Sequence, residues 1–161
     1  FFNSFGPGEV PGQYRNVIPN FVYWSMQKKS LPLTGTGDET RDFTYVLDLV
    51  QGLIKAGYYE DAIGQAFNLA SGKETKIKDM ISMVNNATGN ATPITEFPPR
   101  KWDTKKRLLA SIDLAGKLID YKPIISFDEG LKSNFDWFKT NWEKIQKAAD
   151  FPIGMSSAVR K

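Results

Sequence analysis

Apolar residues recur at helical spacing in several blocks along the chain. The clearest block is the last. Phe127, Leu131, Phe135, Phe138, Trp142 and Ile145 fall on one helix face, and Ser126 with Glu129 forms a capping box at its start. Such an aromatic stripe reads as core. Val17, Ile18, Phe21, Val22 and Ser25 predict a helix to about Lys29, headed by Asn16, with Pro19 tolerated in the first turn. Val46, Leu49, Val50, Leu53 and Ile54 predict a second helix that stops at Gly57. Ile77, Met80, Ile81 and Val84 predict a third, ending near Gly89, and Ser111 to Asp113 caps a short one through Leu118.

The stretches between are short and extended. Phe1 to Gly12, crowded with Gly and Pro, reads as a strand end running into a loop. Leu31 to Leu33 is extended, Thr34 to Gly37 is a turn, and Arg41 to Tyr45 is extended or irregular. Ala66 to Ala70 reads as a short buried strand, and Ile94 to Phe97 as another. The fold class is α/β, a mixed α+β fragment with short strands and about five helices. A parallel sheet of its own needs longer and more numerous strands, so these read as contributions to a larger structure. The apolar pair Phe1-Phe2 suggests that further chain precedes it. Residues 1–148 are expected to form one body and residues 149–161 a flexible tail.

Composition narrows the chemistry. The 161 residues are 41% hydrophobic and 24% charged, with no run approaching the ~20 apolar residues that cross a bilayer. No signal-peptide pattern opens the chain, and a cytoplasmic location is expected. Cysteine and histidine are both absent, which excludes disulfides, thiolate and imidazole metal ligands, cysteine nucleophiles and a histidine base. No metal is expected. The net charge of +3 is interspersed; its tightest cluster, Lys105-Lys106-Arg107, reads as a solvated helix face and argues against nucleic acid. Asn86-Ala-Thr88 and Asn90-Ala-Thr92 match glycosylation sequons and read as chance.

Two motifs are missing. Gly6-Pro-Gly8 and Gly35-Thr-Gly37 are the close glycine pairs, and neither continues to the third glycine of a dinucleotide fingerprint. A Tyr-x-x-x-Lys pair would put a lysine one helical turn from a phenol. Four residues beyond the six tyrosines stand Ile18, Gln27, Leu49, Ala62, Ile63 and Ile125, so no such pair exists. The polar residues in unusual places are Asn3, Asn16, Arg41, Arg100 and Asp103. Each has a plain reading beside a binding one: Asn16 caps a helix, Arg41 pairs with Asp38 or Asp42, and Asp103 caps the next segment.

Taken together, Phe2-Asn-Ser-Phe-Gly-Pro7, Arg15-Asn-Val-Ile-Pro-Asn-Phe21 and Leu31 to Val46 (with Thr34-Gly-Thr-Gly37 and Arg41-Asp-Phe43) occur in a telling order and spacing. With Phe67-Asn-Leu-Ala-Ser-Gly72 and Pro99-Arg-Lys-Trp-Asp103, they resemble the nucleotide-sugar epimerases, dehydratases and decarboxylases of the extended short-chain dehydrogenase/reductase family. The likeness runs to the aromatic helix near Ile145.

The resemblance implies a division of labour. An amino-terminal Rossmann part would carry the Gly-rich loop, NAD and the Tyr-x-x-x-Lys pair, and this chain would be the substrate-binding half, with no catalytic residue of its own. By position, Asn3 would contact the substrate near its diphosphate and sugar, and Asn16 and Val17 would meet the diphosphate and base. Arg41 and Arg100 would bind diphosphate, and Asp103 the ribose. Ser4 and Pro7 would skirt the nicotinamide end of NAD. Many members have an aromatic residue near Leu33-Thr34 beside the base, and this sequence has none there. The implied function is part of an NAD-dependent UDP-sugar 4-epimerase or a dehydratase, with the intact enzyme a homodimer. The alternatives are a nucleotide-sugar uronate decarboxylase and a non-catalytic nucleotide-sugar-binding module.

Overall fold

The computed structural model describes residues 1–101 and 104–151. In chain order these form β1 (Ser4–Phe5), α1 (Val17–Met26), β2 (Pro32–Thr34), β3 (Thr40–Arg41), β4 (Thr44–Tyr45) and α2 (Val46–Tyr58). A 3-10 turn at Glu60–Ala62 follows, then β5 (Thr75–Lys76), α3 (Ile77–Thr88), β6 (Thr95–Phe97), β7 (Arg107–Leu108), α4 (Asp113–Ile119), α5 (Phe127–Thr140) and α6 (Trp142–Ala148).

The predicted stripes of α1, α3 and α5 meet. Ile18, Phe21 and Val22 pack with Met80, Ile81 and Val84, and with Leu131, Phe138 and Ile145, in the main core. The capping box at Ser126 and Glu129 is complete, with Glu129 also holding the Ser126 N–H at 2.9 Å. Its charge-assisted bonds draw the Glu129 carboxyl below its ordinary value. A second, smaller core gathers Leu49, Leu69, Ala115, Ile119 and Tyr121.

Three expectations change. The last helix is not continuous: at Asn141 (φ −110°, ψ 15°) the chain bends, and the Trp137 carbonyl accepts from both the backbone N–H and the side-chain amide of Asn141, each at 3.0 Å. Ala66 to Ala70 forms no strand. Leu69 and Ala70 are buried, but as an irregular segment whose Ala70 carbonyl accepts from the Tyr121 hydroxyl at 3.0 Å. Lys105-Lys106-Arg107 is not a helix face: Arg107 opens β7 and grips Glu74 through Nε at 2.8 Å and Nη2 at 2.9 Å. The stripe of α2 also behaves unexpectedly. Leu49 is buried, while Val50, Leu53 and Ile54 stay exposed, Ile54 at 58%.

The helix starting at Asn16 ends at Met26, since Lys28 takes a left-handed φ of 57° and the Lys29 N–H closes back onto the Trp24 carbonyl. Of the expected tail, Asp150 bridges to Gly12 and Phe151 stacks on Tyr23, with ring centroids 5.6 Å apart. Residues 152–161 lie outside the described residues. Asn90 is 7% exposed with its amide bonded to the Lys29 carbonyl, so one of the two sequons is closed to a glycan.

The strands pair across long sequence gaps. β1 runs parallel to β4, with Ser4 opposite Thr44, and β2 runs parallel to β6, with Leu33 opposite Glu96. β3 lies between antiparallel β5 and parallel β7. These small sheets hold the loops that line one cleft.

Candidate functional site

Asn3 enters β1 with φ at 32°, a left-handed conformation that asparagine tolerates better than most residues. It is pinned from both sides: its Nδ2 donates to the Asp42 carbonyl at 2.9 Å, and its own carbonyl accepts from the Thr44 N–H at 3.3 Å. A non-glycine residue held in this region marks a place where the surroundings over-determine the backbone. Asp42 supplies the anchor. Fully buried, its carboxylate accepts from the Ser71 N–H at 2.9 Å, the Ser71 hydroxyl at 2.6 Å, the Gly72 N–H at 3.0 Å and the Ala110 N–H at 3.4 Å.

Asn16 stands at the N-cap of α1 but makes no side-chain cap bond. Its Nδ2 turns instead to Glu9 Oε1 at 2.9 Å and to the Ser4 carbonyl at 3.5 Å. Burial pushes the Glu9 carboxyl above its ordinary value, against the opposing bonds from Asn16 and the charge of Arg15. The first turn of α1 contains no acidic residue. Its N–H groups therefore keep their capacity for an anion.

Arg41 ends β3, where its Nη1 donates to the Thr40 carbonyl at 2.8 Å and the Lys105 carbonyl at 3.0 Å. Of the acids considered as its partners, Asp38 bonds Lys78 at 2.6 Å and Asp42 is taken up as above. Arg100 follows β6 and two prolines. Its Nε is buried and has no acceptor among the described residues, an unmade bond that a bound oxyanion would satisfy.

A cleft of about 240 Å³ collects these groups. Asn3, Val17, Arg41 and Arg100 all line it. Asn16 and Ser4 face a side cavity of about 40 Å³ that shares Asn3 and Val17 with the main cleft. Pro7 lines neither. Asp103, expected at the ribose, lies outside the described residues. The structure adds residues that sequence reasoning missed: Arg15, Asn20, Trp24, Glu39 and Phe43 also line the cleft. Arg15 was quoted only as part of a motif, and Trp24 lies inside the predicted helix but outside its stripe. Glu39 is turned inward on its own loop, accepting from the Gly37 N–H at 2.9 Å. Burial raises its carboxyl, but N–H bonds from its own backbone, Thr36 and Gly37 outweigh this and hold it below its ordinary value.

Three guanidinium-bearing residues thus border one cleft whose carboxylate is already engaged. A forked, permanently charged donor set suits phosphate oxygens. The described residues contain no cluster of His, Cys, Asp or Glu able to hold a metal ion, and no helix long and apolar enough to cross a membrane.

Neither glycine pair fits a dinucleotide. The Gly37 N–H that would cradle phosphate in the second pair already faces the Glu39 carboxylate. At the first pair, a Cβ on Gly6 would lie 2.6 Å from Val46 Cγ1, so that turn is packed against α2.

The fold is a mixed α/β unit whose cleft is bordered by Arg15, Arg41 and Arg100. Residues 1–70 match the model of the NAD dependent epimerase/dehydratase family. The chain is 54% identical, with a TM-score of 0.92, to the epimerase Mth375 of Methanothermobacter thermautotrophicus, over 94% of this chain and 45% of that one. It is 35% identical, with a TM-score of 0.78, to the Bordetella bronchiseptica enzyme WbmF solved with NAD+ and UDP, over 90% and 46%. It is 31% identical to a UDP-glucuronate 4-epimerase of Thermodesulfobacterium geofontis, over 91% of this chain and 44% of that protein. The chain belongs to the NAD-dependent epimerase/dehydratase family. It spans less than half the length of these relatives.

Proposed function

We propose that this chain is the substrate-holding part of an NAD-dependent nucleotide-sugar 4-epimerase, with a UDP-sugar as substrate. The observation that carries the reading is Arg100, whose buried Nε lacks an acceptor at a cleft that Arg41 also lines. In this proposal Arg41 and Arg100 hold the diphosphate, and the open N-terminus of α1 at Asn16 and Val17 adds backbone donors. Asn3 meets the ligand at the sugar end, where its strained seat fixes the amide. Asp103 accepts from the ribose, and Ser4 and Pro7 border the nicotinamide end of the cofactor. The redox chemistry belongs to cofactor and groups outside these residues, since neither glycine pair fits a dinucleotide and no Tyr-x-x-x-Lys pair is present. Binding energy from the nucleotide handle then positions the sugar for that chemistry. We also place the intact enzyme as a homodimer.

Decarboxylation of a nucleotide-linked uronic acid is the second reading. It is favoured by 28% identity, over 86% of this chain and 44% of the relative, to a UDP-N-acetyl-alpha-D-glucosaminuronate decarboxylase of Bacillus cytotoxicus. The test is incubation of the intact protein with NAD and UDP-glucose or UDP-glucuronate, with products assigned by NMR. The expected product is the 4-epimer. A UDP-pentose with release of carbon dioxide moves the assignment to the decarboxylase. Absence of both turnover and UDP binding refutes the proposal.

A further inference from the structure

One face of α1 runs along the cleft: Val17, Asn20, Phe21 and Trp24, spaced i, i+3, i+4 and i+7, all line it. Two of these have little to offer a ligand. The Asn20 amide is consumed by Gly12, accepting from its N–H at 2.8 Å and donating to its carbonyl at 2.9 Å. Phe21 is 3% exposed, and Phe43, the other ring on the cleft, 4%. Trp24 is half-buried and is the accessible aromatic surface there. Its ring is set in place by Phe21, at 6.0 Å between centroids, and by Phe151, at 5.3 Å. Seven residues of helix separate Trp24 from Val17, about 10 Å of rise. That is the reach from a nucleotide's diphosphate to its base.

We propose that Trp24 is the nucleobase platform of this cleft, a specificity-determining residue that selects nucleoside diphosphates over inorganic diphosphate. The proposal rests on the nucleotide-sugar reading above. Stacking on an indole is tolerant of base identity, because every base presents a π face. Trp24 therefore discriminates nucleotide from bare diphosphate rather than one base from another. The pre-set ring keeps the ordering cost of binding low.

The experiment is calorimetric titration of the intact protein with UDP and, separately, with inorganic pyrophosphate, for the wild type and for Trp24→Leu, Trp24→Phe and Arg100→Ala. Trp24→Leu should weaken UDP about tenfold or more and leave pyrophosphate within about twofold. Trp24→Phe should retain most of the UDP affinity, and Trp24→Gln, which has no π face, replaces the leucine variant if that fails to fold and should lose UDP affinity in the same way. Arg100→Ala should weaken both ligands. Unchanged UDP binding by Trp24→Leu overturns the proposal, as does equal weakening of UDP and pyrophosphate; with Arg100→Ala still weakening both ligands, the nucleotide reading survives. A wild type that binds neither UDP nor pyrophosphate overturns both.

Discussion

Replacing Asp42 by alanine tests how the cleft is held. The wild-type carboxylate is fully buried and is the acceptor for the Ser71 N–H and hydroxyl, the Gly72 N–H and, more weakly, the Ala110 N–H. Each buried donor left without a partner costs roughly 1–3 kcal/mol. The Ser71 hydroxyl can rotate away, since it also reaches the Lys73 carbonyl at 3.3 Å, and Ser71 is only half-buried. The two backbone N–H groups of Ser71 and Gly72 cannot move without moving their loop. We therefore expect Asp42→Ala to cost about 3–4 kcal/mol, and Asp42→Asn, which keeps one oxygen but turns an NH2 group on the remaining donors, about half of that. Urea unfolding of the intact protein followed by tryptophan fluorescence measures it, compared at constant m. UDP affinity should fall in both variants, because the carboxylate anchors the backbone whose Asp42 carbonyl seats Asn3. A cost below about 1 kcal/mol for Asp42→Ala would refute the view that this carboxylate ties the three loops together.

Arg41→Ala should weaken UDP binding by about 2–4 kcal/mol, as for other charge-assisted bonds to an enclosed anion, and calorimetry showing no change beyond error would remove Arg41 from the site. Burial, with the charges of Asp48 and Asp42, pushes the Tyr121 hydroxyl up to about 12 from an ordinary 10. Its folded value is raised, so the associated stability is intact below pH 10 and is lost as pH climbs from 10 towards 12. Alkaline unfolding in that window should flatten in Tyr121→Phe, at the expense of the bond to the Ala70 carbonyl, and an unchanged profile would exclude Tyr121 as its source.

The helices were the legible part of this chain. α1, α3 and α5 carry stripes that coincide with their buried faces, and the Ser126 box marks a start that the structure keeps to the residue. Elements of two residues, such as β5 and β7, are too short to show any period, and their pairing depends on residues far away in the chain. Ala66 to Ala70 misled because an apolar run has the same composition whether it joins a ladder or lies under a tyrosine. The α2 stripe misled differently: periodicity reports that a face is apolar but not whether anything covers it, and Ile54 remains 58% exposed. In the site, Asn3, Val17, Arg41 and Arg100 could be named from motif order and do converge on one cleft. Asp42 could not, since an acid beside an arginine in sequence suggests a pair, whereas the fold directs this one to the backbone of residues 71 and 72.

The long-gap strand pairs also set a schedule. β1 must wait for residue 44, β2 for residue 95 and β3 for residue 75 on one side and 107 on the other, and Gly12 finds its bridge only at Asp150. Little of the cleft wall can be closed by neighbours in sequence, and non-local closure of this kind slows folding. On the ribosome the helices can form as they emerge, while the cleft wall stays incomplete until the chain has been made past β7 at Arg107–Leu108. A truncation after Ala148 should thus be felt far away in the sequence, in the loop that leads into α1.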